Sequence, residues 1–118
     1  IHKKIVTMYG ELEPTNFYKD CDIYILPSRF EGFSNSLIEA LSFGLPAIAA
    51  NCPSANKEVL TENINGVFFS NEDSEDLAKK IEYMTKNHAQ FNKRLIKNDA
   101  IKRFSINVIA SFYKKLFI

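Results

Sequence analysis

Two carboxylates and a group of small polar side chains share one short segment of the chain and could bind a phosphate and a sugar. Glu31 and Glu39 are separated by seven residues, and the run Ser34–Ser36 lies between them. Serine and asparagine favour helix N-termini, where unpaired N–H groups and a partial positive charge suit a phosphate. Carboxylates accept hydrogen bonds from sugar hydroxyls, and Gly32 lets backbone approach a ligand closely. The residues alone predict either a phosphate-and-polyol site or a capped helix with two solvated glutamates.

The surrounding pattern predicts a strand, a helix and a second strand that would position this segment. Ile23–Leu26 is a short apolar, β-rich run typical of a buried strand. A helical apolar face follows, and it ends at Gly44, before Pro46. Ala47–Ala50 is predicted to be the next buried strand. The predicted helical face comprises Leu37, Ile38, Leu41 and Phe43. Such a βαβ unit implies a parallel sheet, and ligands of these sheets bind beyond the carboxyl ends of the strands.

The rest of the chain is predicted to supply further elements of the same α/β domain. Upstream, Ile5–Met8 reads as a strand and Thr15–Lys19 as a helical turn. Downstream, a short helix within residues 53–60 precedes a turn at Asn65-Gly66 and the strand Val67–Phe69. Three more helices are expected: one capped by Asp73 with Leu77, Ile81 and Met84 on one face, one over His88–Lys102 with Phe91, Leu95 and Ile96 as anchors, and one capped by Ser105.

Length and composition fit one globular domain. The chain has 118 residues, of which 46% are hydrophobic and 25% are charged. No apolar run reaches the roughly 18–20 residues that a membrane span requires. Cys21 and Cys52 lack metal-site spacing, which favours a reduced, cytoplasmic protein. Because the chain starts without a methionine, we expect it to begin inside a longer protein.

Charge is distributed unevenly. Residues 1–86 carry 8 basic and 13 acidic side chains, whereas residues 87–118 carry 7 basic side chains and a single acidic one, Asp99. A solvated helix face is the preferred interpretation of the basic stretch; peripheral contact with the inner face of an anionic membrane is the alternative. Nucleic-acid binding is not expected, since no aromatic platform accompanies the basic residues. The acidic pair Asp20 and Asp22 flanks the start of a strand, so we predict no metal site.

Two longer motifs resemble the donor-site signature of family-four glycosyltransferases. These are retaining enzymes of the GT-B fold, and their hallmark is a pair of glutamates separated by seven residues. The similarity lies in Leu26–Phe33 (LPSRFEGF) and Leu37–Ile48 (LIEALSFGLPAI), with a similar lead-in around Phe17-Tyr18. It extends over nearly the whole chain. The implied fold class is α/β, a Rossmann-like parallel sheet with flanking helices, forming part of the C-terminal domain of a GT-B enzyme. Residues 1–118 would be one nucleotide-sugar-binding domain, with a crossover helix over residues 103–118.

The resemblance also implies roles for individual residues. Glu31 would be the catalytic-site carboxylate on the donor sugar, helped by the backbone of Gly32, Phe33 and Ser34. Backbone N–H groups near Asn35, Ser36 and Leu37 would meet the diphosphate, and Glu39 would accept hydrogen bonds from the ribose. Gly10 and Glu11 would lie near the base. The role of Arg29 stays open between a ligand contact and an ordinary surface position.

The implied reaction is transfer of a sugar from a nucleotide diphosphate sugar to a glycan or lipid-linked acceptor, in cell-envelope polysaccharide assembly. A UDP-linked donor is preferred over a GDP-linked one. No metal and no cofactor are expected. The chain lacks the family's early Gly-rich turn with its Arg or Lys pair, and also the N-terminal domain that binds the acceptor. We therefore expect the isolated chain to be nearly inactive. The alternative from another functional class is a non-catalytic sugar-nucleotide-binding or interaction module.

Overall fold

Three parallel strands with helices packed around them form the described part of the molecule. The structure is a computed structural model that describes residues 6–10, 17–27, 35–52 and 56–105. The strands are β1 (Tyr24–Leu26), β2 (Ala47–Asn51) and β3 (Gly66–Ser70), in the sheet order β1-β2-β3. The helices are α1 (Asn35–Ser42), α2 (Asn56–Val59), α3 (Ser74–Asn87) and α4 (Lys93–Phe104), and short 3-10 turns cover Tyr18–Asp20 and His88–Gln90. The predicted Rossmann-like α/β class is confirmed.

The central strand of the described sheet is β2, and its burial follows from that position. Tyr24 of β1 pairs in parallel with Ala47, and Ala47 also pairs with Gly66 of β3. All four residues Ala47–Ala50 are fully buried, as the apolar run predicted. The prediction of a fully buried β1 is wrong at Ile25, which is 37% exposed. Within the described residues β1 has one neighbouring strand, so one of its edges and part of one face are left uncovered.

Helix α1 forms the predicted βαβ unit and packs its apolar face into the core. Leu37, Ile38 and Leu41 are buried together with residues of β2 and β3. The predicted helix stop is confirmed, because Gly44 takes a left-handed φ of 83° and its N–H donates to the Leu41 carbonyl at 2.8 Å. Phe43 does not extend the buried face as predicted. It is 39% exposed and lies in the turn after the helix.

The later helices confirm one predicted boundary and correct another. The side chain of Asp73 caps α3 by accepting from the Asp76 N–H at 3.0 Å, as predicted. The predicted helix over His88–Lys102 begins later, at Lys93, because the Asn92 side chain accepts from the Leu95 N–H at 3.1 Å and acts as the N-cap. Ile96 and Ala100 form the buried side of α4, and Leu95 lies on another side of the helix, where it is 65% exposed.

The predicted apolar faces of the two longest helices are only partly buried. Met84 of α3 is fully buried and Leu77 is half-buried against the core, whereas Ile81 is exposed. Phe91 and Ile96 are buried, as predicted, although Phe91 precedes α4. The described helices therefore contact the sheet along narrow stripes, and most of their surface stays polar.

The upstream segment differs from its prediction. Val6–Gly10 is exposed and has no strand, so the predicted strand over Ile5–Met8 is wrong for its described residues. The described sheet offers this segment no hydrogen-bonding neighbour, and a strand needs one. The predicted helical turn over Thr15–Lys19 corresponds to the 3-10 turn Tyr18–Asp20. The crossover helix expected over residues 103–118 overlaps the end of α4 at its first two residues, and residues 106–118 lie outside the described part.

Candidate functional site

The N-terminal half of α1 carries the described part of the predicted site. Asn35 and Ser36 are the first two residues of the helix, and Glu39 lies one turn further along. Asn35 and Glu39 are four residues apart and both exposed, so they share one solvent-facing side of the helix. Leu37 is fully buried, so only its backbone is available for the predicted diphosphate contact. An anion at this helix end would meet N–H groups and the positive end of the helix dipole.

A tyrosine of β1 holds the first turn of α1 against the sheet. The Tyr24 hydroxyl donates a hydrogen bond to Ser36 Oγ at 2.8 Å, in a partly buried position. The bond joins the strand before the site to the helix that carries it. The orientation of the Ser36 side chain is therefore fixed by the sheet as well as by the helix.

A second tyrosine packs beneath α1, against Ala40, the residue that follows Glu39. Tyr18 belongs to the 3-10 turn before β1 and is 7% exposed. Burial, reinforced by nearby Tyr24 and by the charge of Glu39, raises the pKa of Tyr18 to about 12. The phenol therefore keeps its proton at neutral pH.

The two tyrosines belong to one aromatic cluster beneath α1. The rings of Tyr18 and Tyr24 meet edge to face with centroids 6.2 Å apart, and the ring of Phe43 lies 5.2 Å from that of Tyr18. Ala40 and Leu45 complete the packing around Tyr18. The cluster gives the hydroxyls of Tyr18 and Tyr24 fixed positions next to the exposed side of the helix.

Neither tyrosine was identified as a site residue from the sequence. A signal was present at Tyr24, because a tyrosine within an apolar strand must find a hydrogen-bond partner for its hydroxyl. Tyr18 had no such signal, since nothing in its local sequence indicates that its ring is buried. Its burial depends on how the 3-10 turn docks against α1, which is a long-range contact.

The other predicted site residues are described only in part. Gly10 has a left-handed φ of 74° and lies in open space, next to Tyr9, whose ring contacts that of Phe17 at 5.5 Å. Phe17 immediately precedes Tyr18, so Gly10 belongs to a segment that is linked to the turn packed against Ala40 of α1. The predicted roles of Glu11, Arg29, Glu31, Gly32, Phe33 and Ser34 fall on residues outside the described part and stay predictions.

A concave region lies away from α1, between β3 and α3. It has a volume of about 450 Å³ and is lined in part by Glu62, Asp76, Lys79 and Tyr83. Its two carboxylates are occupied by the backbone of β3: Glu62 accepts from the Phe68 N–H at 3.0 Å and Asp76 from the Ser70 N–H at 2.7 Å. These bonds cover the outer edge of the strand, which is a structural task.

The basic region after residue 86 is partly committed to the fold. Arg103 donates to the Glu58 carbonyl at 2.9 Å and to the Val59 carbonyl at 2.8 Å, and it also pairs with Asp99 at 3.0 Å. The guanidinium therefore binds the carbonyls at the end of α2. Across the described ranges, no helix has the length and apolar content needed to cross a membrane. No three metal-ligating side chains converge within those same ranges.

Comparison with known proteins identifies the family. The family model described as glycosyl transferases group 1 matches residues 2–102. The chain is 30% identical over 102 residues, 84% of its length, to the N,N'-diacetylbacillosaminyl-diphospho-undecaprenol alpha-1,3-N-acetylgalactosaminyltransferase of Campylobacter jejuni. A second alignment, of 114 residues and covering 79% of the chain, is to the GtfA subunit of the UDP-N-acetylglucosamine--peptide N-acetylglucosaminyltransferase of Streptococcus agalactiae. The identity in that alignment is 28%.

A shorter segment is more similar to a third protein. Over 42 residues, 36% of the chain, it is 45% identical to the lipopolysaccharide 1,6-galactosyltransferase of Escherichia coli. The chain spans 26% of the Campylobacter relative, 22% of the Streptococcus relative and 12% of the Escherichia relative. The match to the family model covers most of the chain and confirms the predicted resemblance. The chain therefore belongs to the glycosyl transferases group 1 family.

Proposed function

We propose that this chain supplies the donor-nucleotide site of a retaining glycosyltransferase. The observation that carries the proposal is the arrangement on α1: a helix N-terminus that follows a parallel strand, with an exposed carboxylate one turn along the helix. Such a helix end suits a diphosphate, and Glu39 suits the vicinal hydroxyls of a ribose. Family membership supports the same reading, because it matches these residues to proteins that transfer sugars.

In this proposal, different residues of the site bind different parts of the donor. Backbone N–H groups at Asn35, Ser36 and Leu37 bind the diphosphate, and Glu39 binds the ribose. Glu31, with the backbone of the following residues, contacts the donor sugar near its reacting carbon. The protein's main contribution to the reaction is stabilisation of the negative charge that develops on the leaving diphosphate. An acceptor hydroxyl attacks on the face from which the diphosphate leaves, which retains the anomeric configuration.

The acceptor is proposed to be a glycan or a lipid-linked sugar of the cell envelope, and the nucleotide a uridine diphosphate. The names of the relatives support this choice, since they include a diphospho-undecaprenol acceptor and a lipopolysaccharide galactosyltransferase. Because the chain spans only 12% to 26% of these relatives, the acceptor site is proposed to lie on further parts of the enzyme.

A binding titration of the natural full-length protein against a panel of UDP- and GDP-sugars tests the proposal. We expect micromolar binding of one donor, and at least tenfold weaker binding by Glu31→Ala and Glu39→Ala. Glu82→Ala provides the matched control, because Glu82 is an exposed helical glutamate on α3 whose ion pair with Lys86 is itself exposed. If both site variants bind every donor as the wild type does, the site assignment is wrong. Binding without turnover on any acceptor would favour a non-catalytic binding module.

A further inference from the structure

Helix α4 exposes a basic face on which two apolar side chains also lie. Its members are all exposed, and together they form what we call the outer face of α4: Arg94, Leu95, Lys97, Asn98, Ile101 and Lys102. We propose that the outer face of α4 binds the surface of an anionic lipid bilayer. This binding requires neither a sugar nucleotide nor an acceptor, so the inference goes beyond the proposed function.

Helical periodicity brings the members of the outer face together. The two buried residues of α4 are four positions apart and mark the side of the helix that faces the core. At 3.6 residues per turn, Arg94, Lys97 and Ile101 form one row on the side away from the core. Leu95 and Lys102, seven positions apart, form a second row beside the first. The outer face is therefore one continuous surface along the helix.

The charges of the outer face have one sign. Arg94, Lys97 and Lys102 are exposed, and within the described part of the chain they form no ion pair. The acidic residue of α4, Asp99, pairs with Arg103, whose guanidinium is bound to the end of α2. By contrast, α3 carries three acidic and three basic residues and has no excess of either sign. The outer face is therefore a local positive surface, to which a layer of anionic lipid is complementary.

The two apolar side chains distinguish the outer face from an ordinary solvated one. Leu95 is 65% exposed and Ile101 is 47% exposed, and each lies in a row that also contains a cation. In helices that lie on a bilayer, apolar side chains enter the boundary between headgroups and acyl chains. The long basic side chains extend along them and reach the lipid phosphates. The outer face offers both kinds of contact on one side of α4.

The cations should supply most of the affinity. Each lysine or arginine near an anionic membrane strengthens binding by about fivefold, so three together contribute on the order of 100-fold. Bound in this way, the enzyme would be held at the surface in which a lipid-linked acceptor lies. That consequence, unlike the binding itself, rests on the proposed function.

The test is cosedimentation of the natural full-length protein with vesicles, without nucleotide or acceptor. One set of vesicles contains equal parts of phosphatidylcholine and phosphatidylglycerol, and the other contains phosphatidylcholine alone. We expect binding to the anionic vesicles only, and we expect it to weaken as salt is added. The triple variant Arg94→Ala/Lys97→Ala/Lys102→Ala should bind at least tenfold more weakly than the wild type. Alanine favours helices, so α4 should still form.

Helix α3 provides a control with the same change in charge. The triple variant Lys79→Ala/Lys80→Ala/Lys86→Ala also removes three cations, but from a helix of mixed charge, and it should bind within about threefold of the wild type. Equal losses in the two triple variants would show that binding follows total charge, and would overturn the inference. Failure of the wild type to bind anionic vesicles, or equal binding to both kinds of vesicle, would also overturn it.

A further variant tests the apolar part of the outer face. Leu95→Ser/Ile101→Ser should weaken binding by roughly three- to tenfold and leave its salt dependence unchanged, because no charge is altered. If this variant instead abolishes self-association and binds vesicles as the wild type does, the outer face contacts a second copy of the chain and the inference is wrong. All outer-face variants should bind the sugar nucleotide as the wild type does. Loss of donor binding in the wild type would contradict the proposed function alone, so the two failures are distinguishable.

Discussion

Raising the pH above 10 should lower the stability of the folded protein, because Tyr18 is buried and resists losing its proton. The ordinary tyrosine pKa is 10.0, and in the folded state that of Tyr18 is raised to about 12, first by burial and then by the charges around it. Between these values the unfolded chain has lost a proton that the folded chain retains. The free energy of unfolding therefore falls as pH rises above 10. Below pH 10 the protonated Tyr18 causes no such loss. Two pKa units correspond to about 3 kcal/mol in total, of which linkage predicts a loss of about 2 kcal/mol by pH 11.5.

The assay is urea unfolding of the natural full-length protein, followed by far-UV circular dichroism at pH 8 and pH 11.5. Other groups titrate in this range, so the quantity of interest is the stability gap between wild type and Tyr18→Phe. We expect that gap to shift by about 2 kcal/mol in favour of the variant on going to the higher pH. Tyr83→Phe removes an exposed phenol on α3 and is the control for the loss of one tyrosine. A gap for Tyr18→Phe that is the same at both pH values would refute the reasoning.

Two further predictions concern the scaffold. Arg103→Met should destabilise the protein by about 2–3 kcal/mol in urea unfolding, because two hydrogen bonds from a charged donor to the end of α2 are lost. Lys102 is exposed, so the control variant Lys102→Met should stay within about 0.5 kcal/mol of the wild type. Equal effects of the two substitutions would contradict this prediction. Gly44→Ala should lower the melting temperature more than Gly10→Ala. Both glycines have a left-handed φ, so both substitutions strain the backbone. Only at Gly44 would the added Cβ also lie 2.7 Å from the Lys93 carbonyl oxygen, since a Cβ at Gly10 would meet open space. Equal melting temperatures for the two variants would show that the close approach of α4 is unimportant.

The features that local chemistry determines could be predicted from the sequence. Gly44 before Pro46 marked the end of α1, and Asp73 marked the start of α3; each works through contacts within a few residues. The fully apolar run Ala47–Ala50 indicated a buried parallel strand, because a strand covered on both faces needs no polar alternation. The position of the predicted phosphate-binding helix followed from these boundaries.

Features that depend on long-range contacts could not be predicted in the same way. The apolar pattern assigned Leu95 to the core, but α4 packs through Ile96 and Ala100 and leaves Leu95 exposed to solvent. The burial of Tyr18 against Ala40 and Leu45 joins two elements whose relative placement no local pattern specifies. The sequence placed Arg103 in a solvated basic stretch, but its guanidinium donates to two carbonyls of α2.

The central claim is that a donor nucleotide binds at the N-terminus of α1, with its ribose on Glu39. The most direct measurement is a crystal structure of the natural full-length protein with UDP, or with GDP if the panel selects it. We expect the diphosphate to lie against the backbone of Asn35–Leu37 and both ribose hydroxyls to donate to the Glu39 carboxylate. A nucleotide bound in the cleft between β3 and α3, with Glu39 free of the ribose, would contradict it.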